Sequence, residues 1–298
     1  MGHPPVVVVA SGGVPRTQVL VGTGRAPALT VADSGARPIT LTTGAPPVML
    51  FNPDGSEWTS WSPLDLGASL IAWWTTDRAD LITLNSTAVT SWKDVVGGYD
   101  AVQAVSAARP IYSATSFNGA PGVSFDGVDD ELTSTDAALL AALPDGAEPG
   151  ELWGVAQQNA LVADSSPKIL ASYGGATSPT RRGLERVVAT GVNRGRIVTG
   201  TGASAPTVVD TTVDLSSRHV MRGRWTATDN GVAVDNATEV TAAVVPATTV
   251  LRLRFGSISN TAPTNFWSGP VRDILATGSL TAPQIAALNA WALVRRML

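Results

Sequence analysis

Four acidic side chains lie within one ten-residue stretch, VSFDGVDDEL at 123–132. Asp126, Asp129, Asp130 and Glu131 could hold a metal ion, transfer protons, or shape and solvate a turn. Clustered carboxylates suit hard cations, and calcium takes about 6 to 8 oxygen ligands. Calcium bound through Asp126, Asp129 and Asp130 is therefore one candidate. The D-x-D-x-D-G order of an EF-hand is missing, so we favour a structural turn in which Asp129 and Asp130 bond nearby backbone N–H groups.

Nucleophilic catalysis has few candidate residues in this sequence. The only histidines are His3 and His219, and a Ser/His/Asp triad would have to use His219. No Gly-x-Ser-x-Gly segment supports such a triad. The chain has no cysteine, which excludes thiolate nucleophiles, disulfides and sulfur-ligated zinc. We therefore expect His219 to be an ordinary strand residue.

Arginines alternate with other residues in two strand-like segments, HVMRGRW and VLRLRFG. Alternation places Arg222 and Arg224 on one strand face, and Arg252 and Arg254 on one face of the second strand. If the two strands are sheet neighbours, the four guanidiniums form a basic outer face. The simpler interpretation is a surface that meets solvent or a partner subunit. The sharper hypothesis is that the arginines bind carboxylates of a cell-surface polysaccharide.

Composition limits the partners of the chain. The 298 residues are 44% hydrophobic and 15% charged, with a net charge of −4. Nucleic-acid binding relies on many basic side chains, so the negative charge argues against it. The longest apolar runs are far shorter than the roughly 20 residues that cross a bilayer. We expect neither nucleic-acid binding nor membrane insertion.

Short β-like segments run along most of the chain. Residues 1–62 contain TQVLVGTG, ALTVAD and PITLTTG between Gly- and Pro-bearing turns, which predicts a small β-rich module or arm. Residues 63–298 hold many more such segments with turns between them, as is typical of an all-β sandwich or barrel. LTAPQIAALNAWALVRRML predicts a helix over 281–298, capped by Thr281 and Gln284. Its apolar face is expected to dock on the sandwich.

Several motifs occur in one order: LIAWWTTD, VTSWKDVVGGYDAVQ, ARPIY, FNGAPGVSFDGVDDEL and FWSGPVRDILATGSLTAPQIAALNAWAL. Over residues 64–298 this set resembles the concanavalin A-like lectin/glucanase jelly roll in its laminin-G-like form. The resemblance implies a jelly-roll β-sandwich and a structural role for the FDG-x-DD stretch. Glucanases of that superfamily carry an E-x-D-x-E pattern on one strand, which this sequence lacks. TVVDTTVDL offers only Asp210 and Asp214, so we expect no glycosidase site.

The N-terminal segment is similar to the particle-attachment modules of tailed phages and gene transfer agents, whose spikes and fibres place a lectin-like domain outside the capsid. The resemblance implies a non-enzymatic virion protein (head spike, fibre or tail-associated), made in the bacterial cytoplasm and displayed on the particle exterior. Its expected partners are capsid or tail proteins, sister subunits in a trimer or pentamer, and host surface polysaccharide. The alternatives are a polysaccharide-degrading enzyme of the same fold and a decoration protein without a ligand.

Overall fold

The computed structural model describes residues 61–159, 166–175, 181–189, 192–200, 207–214, 217–244, 250–260 and 262–297. The chain divides into two units, 1–62 and 63–298. Of the first unit only Trp61 and Ser62 are among the described residues. The β-rich N-terminal module, residues 1–62, therefore lies outside the described residues and stays a prediction.

Short strands with turns between them dominate the described part of the second unit. Two α-helices accompany the strands, α1 (Ala137–Ala142) and α2 (Ala282–Met297), with 3-10 turns at Pro63–Ser69, Ala79–Leu81 and Ser106–Ala108. The strands are β1 (Leu70–Thr75), β2 (Ile82–Asn85), β3 (Ala88–Lys93), β4 (Asp100–Val102), β5 (Ile111–Phe117), β6 (Ala120–Asp126), β7 (Leu132–Ser134), β8 (Gly150–Gln157), β9 (Lys168–Gly174), β10 (Arg181–Ala189), β11 (Val192–Thr199), β12 (Thr207–Asp214), β13 (Arg218–Trp225), β14 (Asp229–Val234), β15 (Val240–Ala243), β16 (Arg252–Phe255) and β17 (Ser268–Thr277).

These strands belong to one hydrogen-bonded network that folds into two layers. In the first layer the strand order is β15, β14, β13, β8 and β17. The other edge of β17 pairs with β6 along the first half of the strand and with β1 along the second half. In the second layer the order is β2, β3, β4, β7, β16, β9, β10, β11 and β12. A single pair, Ala88 with Ile111, joins the second layer to β5, which pairs with β6.

The apolar core lies between the two layers and takes side chains from both. Trp74 of β1 and Phe255 of β16 pack edge to face, with 4.8 Å between ring centroids. A Cβ on Gly154 of β8 would lie 2.3 Å from Cδ2 of Leu170 of β9, so the layers are in close contact there. Two antiparallel layers that bury their inner faces form a β-sandwich. The predicted all-β sandwich with a C-terminal helix is confirmed.

Helix α2 lies against β13 and β8 on the outer face of the first layer. The side-chain oxygen of Gln284 accepts hydrogen bonds from the N–H and hydroxyl of Thr281, both at 2.9 Å, which forms the return half of a capping box. Leu288 and Ala292 are buried, in line with the predicted apolar stripe. Arg295, in the last turn of the helix, is buried as well. Among the described residues, no helix is long and apolar enough to cross a membrane.

Candidate functional site

The acidic turn connects β6 to β7 and is held by two of its own carboxylates. Asp126 Oδ1 accepts hydrogen bonds from the backbone N–H groups of Val128, Asp129 and Asp130, at 2.8, 3.3 and 3.4 Å. Asp130 Oδ2 accepts from the N–H of Asp126 at 2.9 Å. Gly127 has a φ of 84°, a conformation that glycine adopts without strain. The carboxylates that bond the turn backbone are therefore those of Asp126 and Asp130, whereas the sequence suggested Asp129 and Asp130.

The same turn brings together the three candidate calcium ligands. One carboxylate oxygen each from Asp126, Asp129 and Asp130 lies within 4.8 Å of the other two. Asp126 and Asp129 are exposed, whereas Asp130 is only 4% exposed. Burial raises the pKa of Asp130 to about 6, and the carboxylates of Asp126 and Asp129 add to that effect against the backbone hydrogen bond. A bound cation would offset the repulsion between these charges.

Glu131, the fourth acidic residue, belongs to a different contact. Its Oε2 accepts a hydrogen bond from the hydroxyl of Ser257 at 2.6 Å and lies 3.3 Å from Nη1 of Arg254. This carboxylate therefore joins the β6–β7 turn to the segment that follows β16.

The predicted basic face is not formed by these strands. The strand with Arg222 and Arg224, β13, pairs with β8 and β14 in the first layer. The strand with Arg252 and Arg254, β16, pairs with β7 and β9 in the second layer. Because the two strands lie in different layers, the condition for one shared basic outer face, that they are sheet neighbours, is not met.

Arg222 and Arg224 belong to an ion-pair network on the outer face of the first layer. The guanidinium of Arg222 donates to both carboxylate oxygens of Glu151 and to Glu239, each at 2.8 Å. Arg224 donates to the other oxygen of Glu239, at 2.6 and 2.8 Å, and to Asp229 at 2.8 Å. Arg222 is 7% exposed and Glu151 is 3% exposed. Two positive and three negative charges are thus paired within the protein.

Arg252 and Arg254 hold the segment that follows their own strand. Arg254 donates to the carbonyl oxygen of Ile258, and Arg252 to that of Asn260, both at 3.2 Å. Only 7% of Arg254 is exposed. The four arginines therefore have partners inside the protein, and their role in binding a ligand stays a prediction.

A second group of polar side chains lies at one end of β13, and it was not predicted from the sequence. His219 Nδ1 lies 2.7 Å from Asp235 Oδ2, and His219 Nε2 lies 3.2 Å from Ser217 Oγ. The N–H of Val220 donates to the other oxygen of Asp235 at 3.0 Å. Ser217 directly precedes β13 and His219 is the second residue of that strand, and this Ser-x-His spacing was visible in the sequence. Asp235 joins them through the pairing of β13 with β14.

An open cavity of about 190 Å³ lies beside this group, lined by Ser217, Arg218, Arg296 and Met297. Nη1 of Arg218 donates to the carbonyl oxygen of Arg296 at 2.9 Å. Nη1 of Arg296 lies 2.5 Å from Asp235 Oδ2. A hydroxyl and two guanidiniums thus line one cavity next to the end of α2.

No protein-family model and no curated protein matches the sequence. Among solved structures, the chain is similar to botulinum neurotoxin type C, with a TM-score of 0.53 and 11% identity over 78% of this chain and 53% of that one. The binding domain of botulinum neurotoxin serotype G gives 0.50 and 10% over 74% and 51%. The CBM40 of the Ruminococcus gnavus IT-sialidase gives 0.46 and 11% over 56% and 95%.

The fold of the described residues is a β-sandwich similar to part of these two neurotoxin structures. At these identities the likeness shows the fold alone, and it rests on the two neurotoxin structures. The chain spans about half the length of the neurotoxin chains that it matches.

Proposed function

We propose that this chain is a glycan-binding structural protein of a phage-like particle, whose sandwich contacts polysaccharide on the host surface. The observation that carries the proposal is the lectin-like sandwich, which resembles botulinum neurotoxin type C in fold. The cell entry of that toxin depends on interaction with two ganglioside molecules. Sugar binding is the activity that we transfer from this comparison.

The contacts of the carboxylates on the outer face of the first layer favour binding over cleavage of glycosidic bonds. A glycosidase needs two carboxyl groups that reach opposite sides of the bond. Both oxygens of Glu151 are bound by Arg222, and this side chain is buried. The two oxygens of Glu239 are bound by Arg222 and Arg224. These carboxylates are engaged within the sheet and are not positioned to act on a sugar.

Display on a particle is the second part of the proposal. The support is the similarity of residues 1–62 to attachment modules of tailed phages and gene transfer agents. The chain would be a head spike, fibre or tail-associated protein on the particle exterior, assembled as a trimer or pentamer. Repeated copies would give useful avidity from weak single sites. Electron micrographs of particles with this chain labelled test the location, and label found only in the cytoplasm would refute it.

Calcium at Asp126, Asp129 and Asp130 is a further part of the proposal. The support is the approach of three carboxylates within 4.8 Å. The ion would fix the β6–β7 turn, and its remaining ligands would be water or carbonyl oxygens, as calcium accepts.

A glycan array and a cell-adsorption assay with the full chain test the binding function. We expect saturable binding to one class of polysaccharide without release of reducing ends. Release of reducing ends would favour the glycosidase alternative, and no binding to any glycan would favour a decoration protein. The double variant Arg222→Ala, Arg224→Ala tests the predicted arginine role, with Arg78→Ala as the control at an exposed guanidinium. The melting temperature of the double variant must be measured as well, because the buried Glu151 carboxylate loses its arginine countercharge.

A further inference from the structure

We propose that Ser217, His219 and Asp235 form a triad that hydrolyses a short acyl ester bound in the adjacent cavity. The proposal rests on the order of the contacts: a hydroxyl beside one ring nitrogen, a carboxylate beside the other, and a cavity at the hydroxyl. This arrangement of a nucleophile, a base and an orienting group recurs on unrelated folds, so geometry and not sequence position identifies it.

The hydrogen bonds assign the roles of the three side chains. A carboxylate only accepts hydrogen bonds, so at Asp235 the neutral imidazole carries its proton on Nδ1, 2.7 Å away. Nε2 is then unprotonated and accepts from the hydroxyl of Ser217 at 3.2 Å. That is the state in which a histidine can take the serine proton.

The carboxylate is held in an orientation and charge state that suit this role. Burial opposes ionisation of Asp235, but the hydrogen bonds from His219 and the Val220 N–H, with the charge of Arg296, outweigh it and lower the pKa of Asp235. Because the Val220 N–H fixes Oδ1, Oδ2 faces the imidazole. Asp235 pairs with Arg296 of the cavity lining but lines no part of the cavity itself, and it acts on the hydroxyl only through His219, so it is a positioning residue.

Access distinguishes this group from a purely structural pair. A His219–Asp235 contact alone would brace the β13–β14 hairpin and would need no serine. Ser217, however, is exposed and lines the cavity, whereas His219 behind it is 8% exposed. The hydroxyl is therefore the member of the group that a molecule in the cavity meets.

The chemistry follows from these positions. Ser217 Oγ would attack the ester carbonyl carbon while its proton moves to His219 Nε2, and the carbonyl electron pair would move onto oxygen. The guanidiniums of Arg218 and Arg296 are the cationic groups available to that oxyanion. Collapse breaks the bond to the alcohol, which leaves with the proton from Nε2. Water then attacks the acyl-serine with His219 again as base, which releases the carboxylic acid and restores the serine.

The cavity indicates the class of ester. A volume of about 190 Å³ suits a short acyl group such as acetyl, and the half-exposed side chain of Met297 offers it an apolar wall. The two arginines favour an alcohol that carries a negative charge. An O-acetylated acidic sugar combines these properties, and this last identification rests on the proposed glycan-binding function.

The test uses the full chain with p-nitrophenyl acetate and with a fluorophosphonate probe, which labels activated serines. We expect saturable ester hydrolysis and probe attachment at Ser217, located by mass spectrometry. Ser217→Ala should lower kcat at least about 100-fold and abolish the label, as loss of nucleophilic assistance does. Ser279→Ala, at an exposed serine outside this group, should keep full activity.

Asp235→Asn separates a positioning role from a structural one. We expect kcat and the labelling rate at Ser217 to fall at least about 100-fold with KM unchanged, because the imidazole loses its orientation and tautomer. Full labelling of Ser217 in this variant, full activity of Ser217→Ala, or absence of label in the wild-type protein would each overturn the proposal. Glycan binding by Ser217→Ala should be unchanged, so failure of the triad and failure of the lectin function give different results.

Discussion

Replacing Asp130 with asparagine is expected to stabilise the protein at neutral pH and to change little at pH 4. Burial, with the charges of Asp126 and Asp129, raises the pKa of Asp130 from 3.8 to about 6. The folded protein therefore binds this proton more tightly than the unfolded chain. The stability that this proton contributes is complete below about pH 4 and is lost as the pH rises through about 6.

The size of the effect follows from the pKa. The pKa of Asp130 rises by about two, and a change of one in pKa corresponds to about 1.36 kcal/mol. The upper limit of the stabilisation is therefore about 3 kcal/mol. The neighbouring carboxylates of Asp126 and Asp129 are exposed, and solvent screens such charges, so we expect about 1.5 kcal/mol. For a domain of this size that corresponds to a rise in Tm of about 3–6 °C at pH 7.5.

Thermal unfolding followed by circular dichroism between pH 4 and pH 8, with EDTA present, measures the effect. The asparagine side-chain oxygen can still accept the hydrogen bond from the Asp126 N–H, so the turn keeps this contact. Asp129→Asn is the matched control, because it removes one charge from an exposed position of the same turn and should give less than half the shift. An Asp130→Asn protein that is less stable than wild type at pH 7.5, or equally shifted at pH 4 and 7.5, would refute the reasoning.

Three further predictions concern the ion and the buried ion pairs. Calcium added after EDTA treatment should raise the Tm of the wild type but not of Asp129→Asn; a wild-type midpoint that calcium leaves in place would remove the ion from the proposal. Arg222→Met should lower the free energy of unfolding in urea by about 3–5 kcal/mol, because the buried Glu151 carboxylate loses its countercharge and keeps only the hydrogen bond from the Trp153 indole N–H; unchanged unfolding would show that this pair contributes nothing. Arg295→Met should lower the free energy of unfolding by a similar amount, because Asp273 is fully buried. Adding Asp273→Asn should restore part of the lost stability, and a double variant no more stable than the single one would contradict the explanation.

Local patterns predicted the elements of this fold well. Helix α2 was found from its capping residues and its apolar spacing, which are encoded within a few neighbouring positions. Strands were found from short alternating segments between turn residues. Strand partners are not encoded this way. Arg222 and Arg254 occur in nearly identical patterns, but Arg254 donates to Ile258, four residues later, whereas Arg222 donates to Glu151, 71 residues earlier in the chain. The pattern therefore predicted the strands but not the layer to which each belongs.

The Ser217–His219–Asp235 group depends on the register of one hairpin, and that register could not be predicted from the sequence. The Asn230-Gly231 dipeptide is typical of a two-residue hairpin turn, and a turn there would set Asp235 opposite Thr226. In the structure Trp225 pairs with Asn230, so the turn comes earlier in the chain. This register brings Asp235 beside Val220 and His219. A shift of a few residues in one hairpin thus decides whether the histidine has a carboxylate partner.

The terminal helix has a larger role than its sequence indicated. Its apolar stripe predicted docking through side chains such as Leu288, but the last turn is also fastened by the buried Arg295, which donates to both carboxylate oxygens of Asp273. The next residue, Arg296, reaches Asp235 and lines the cavity at Ser217. The ion pair that holds α2 on the sandwich therefore also holds one wall of the proposed ester site. A change at Arg295 that leaves the sandwich folded should consequently reduce ester hydrolysis, although Arg295 itself lines no part of that cavity.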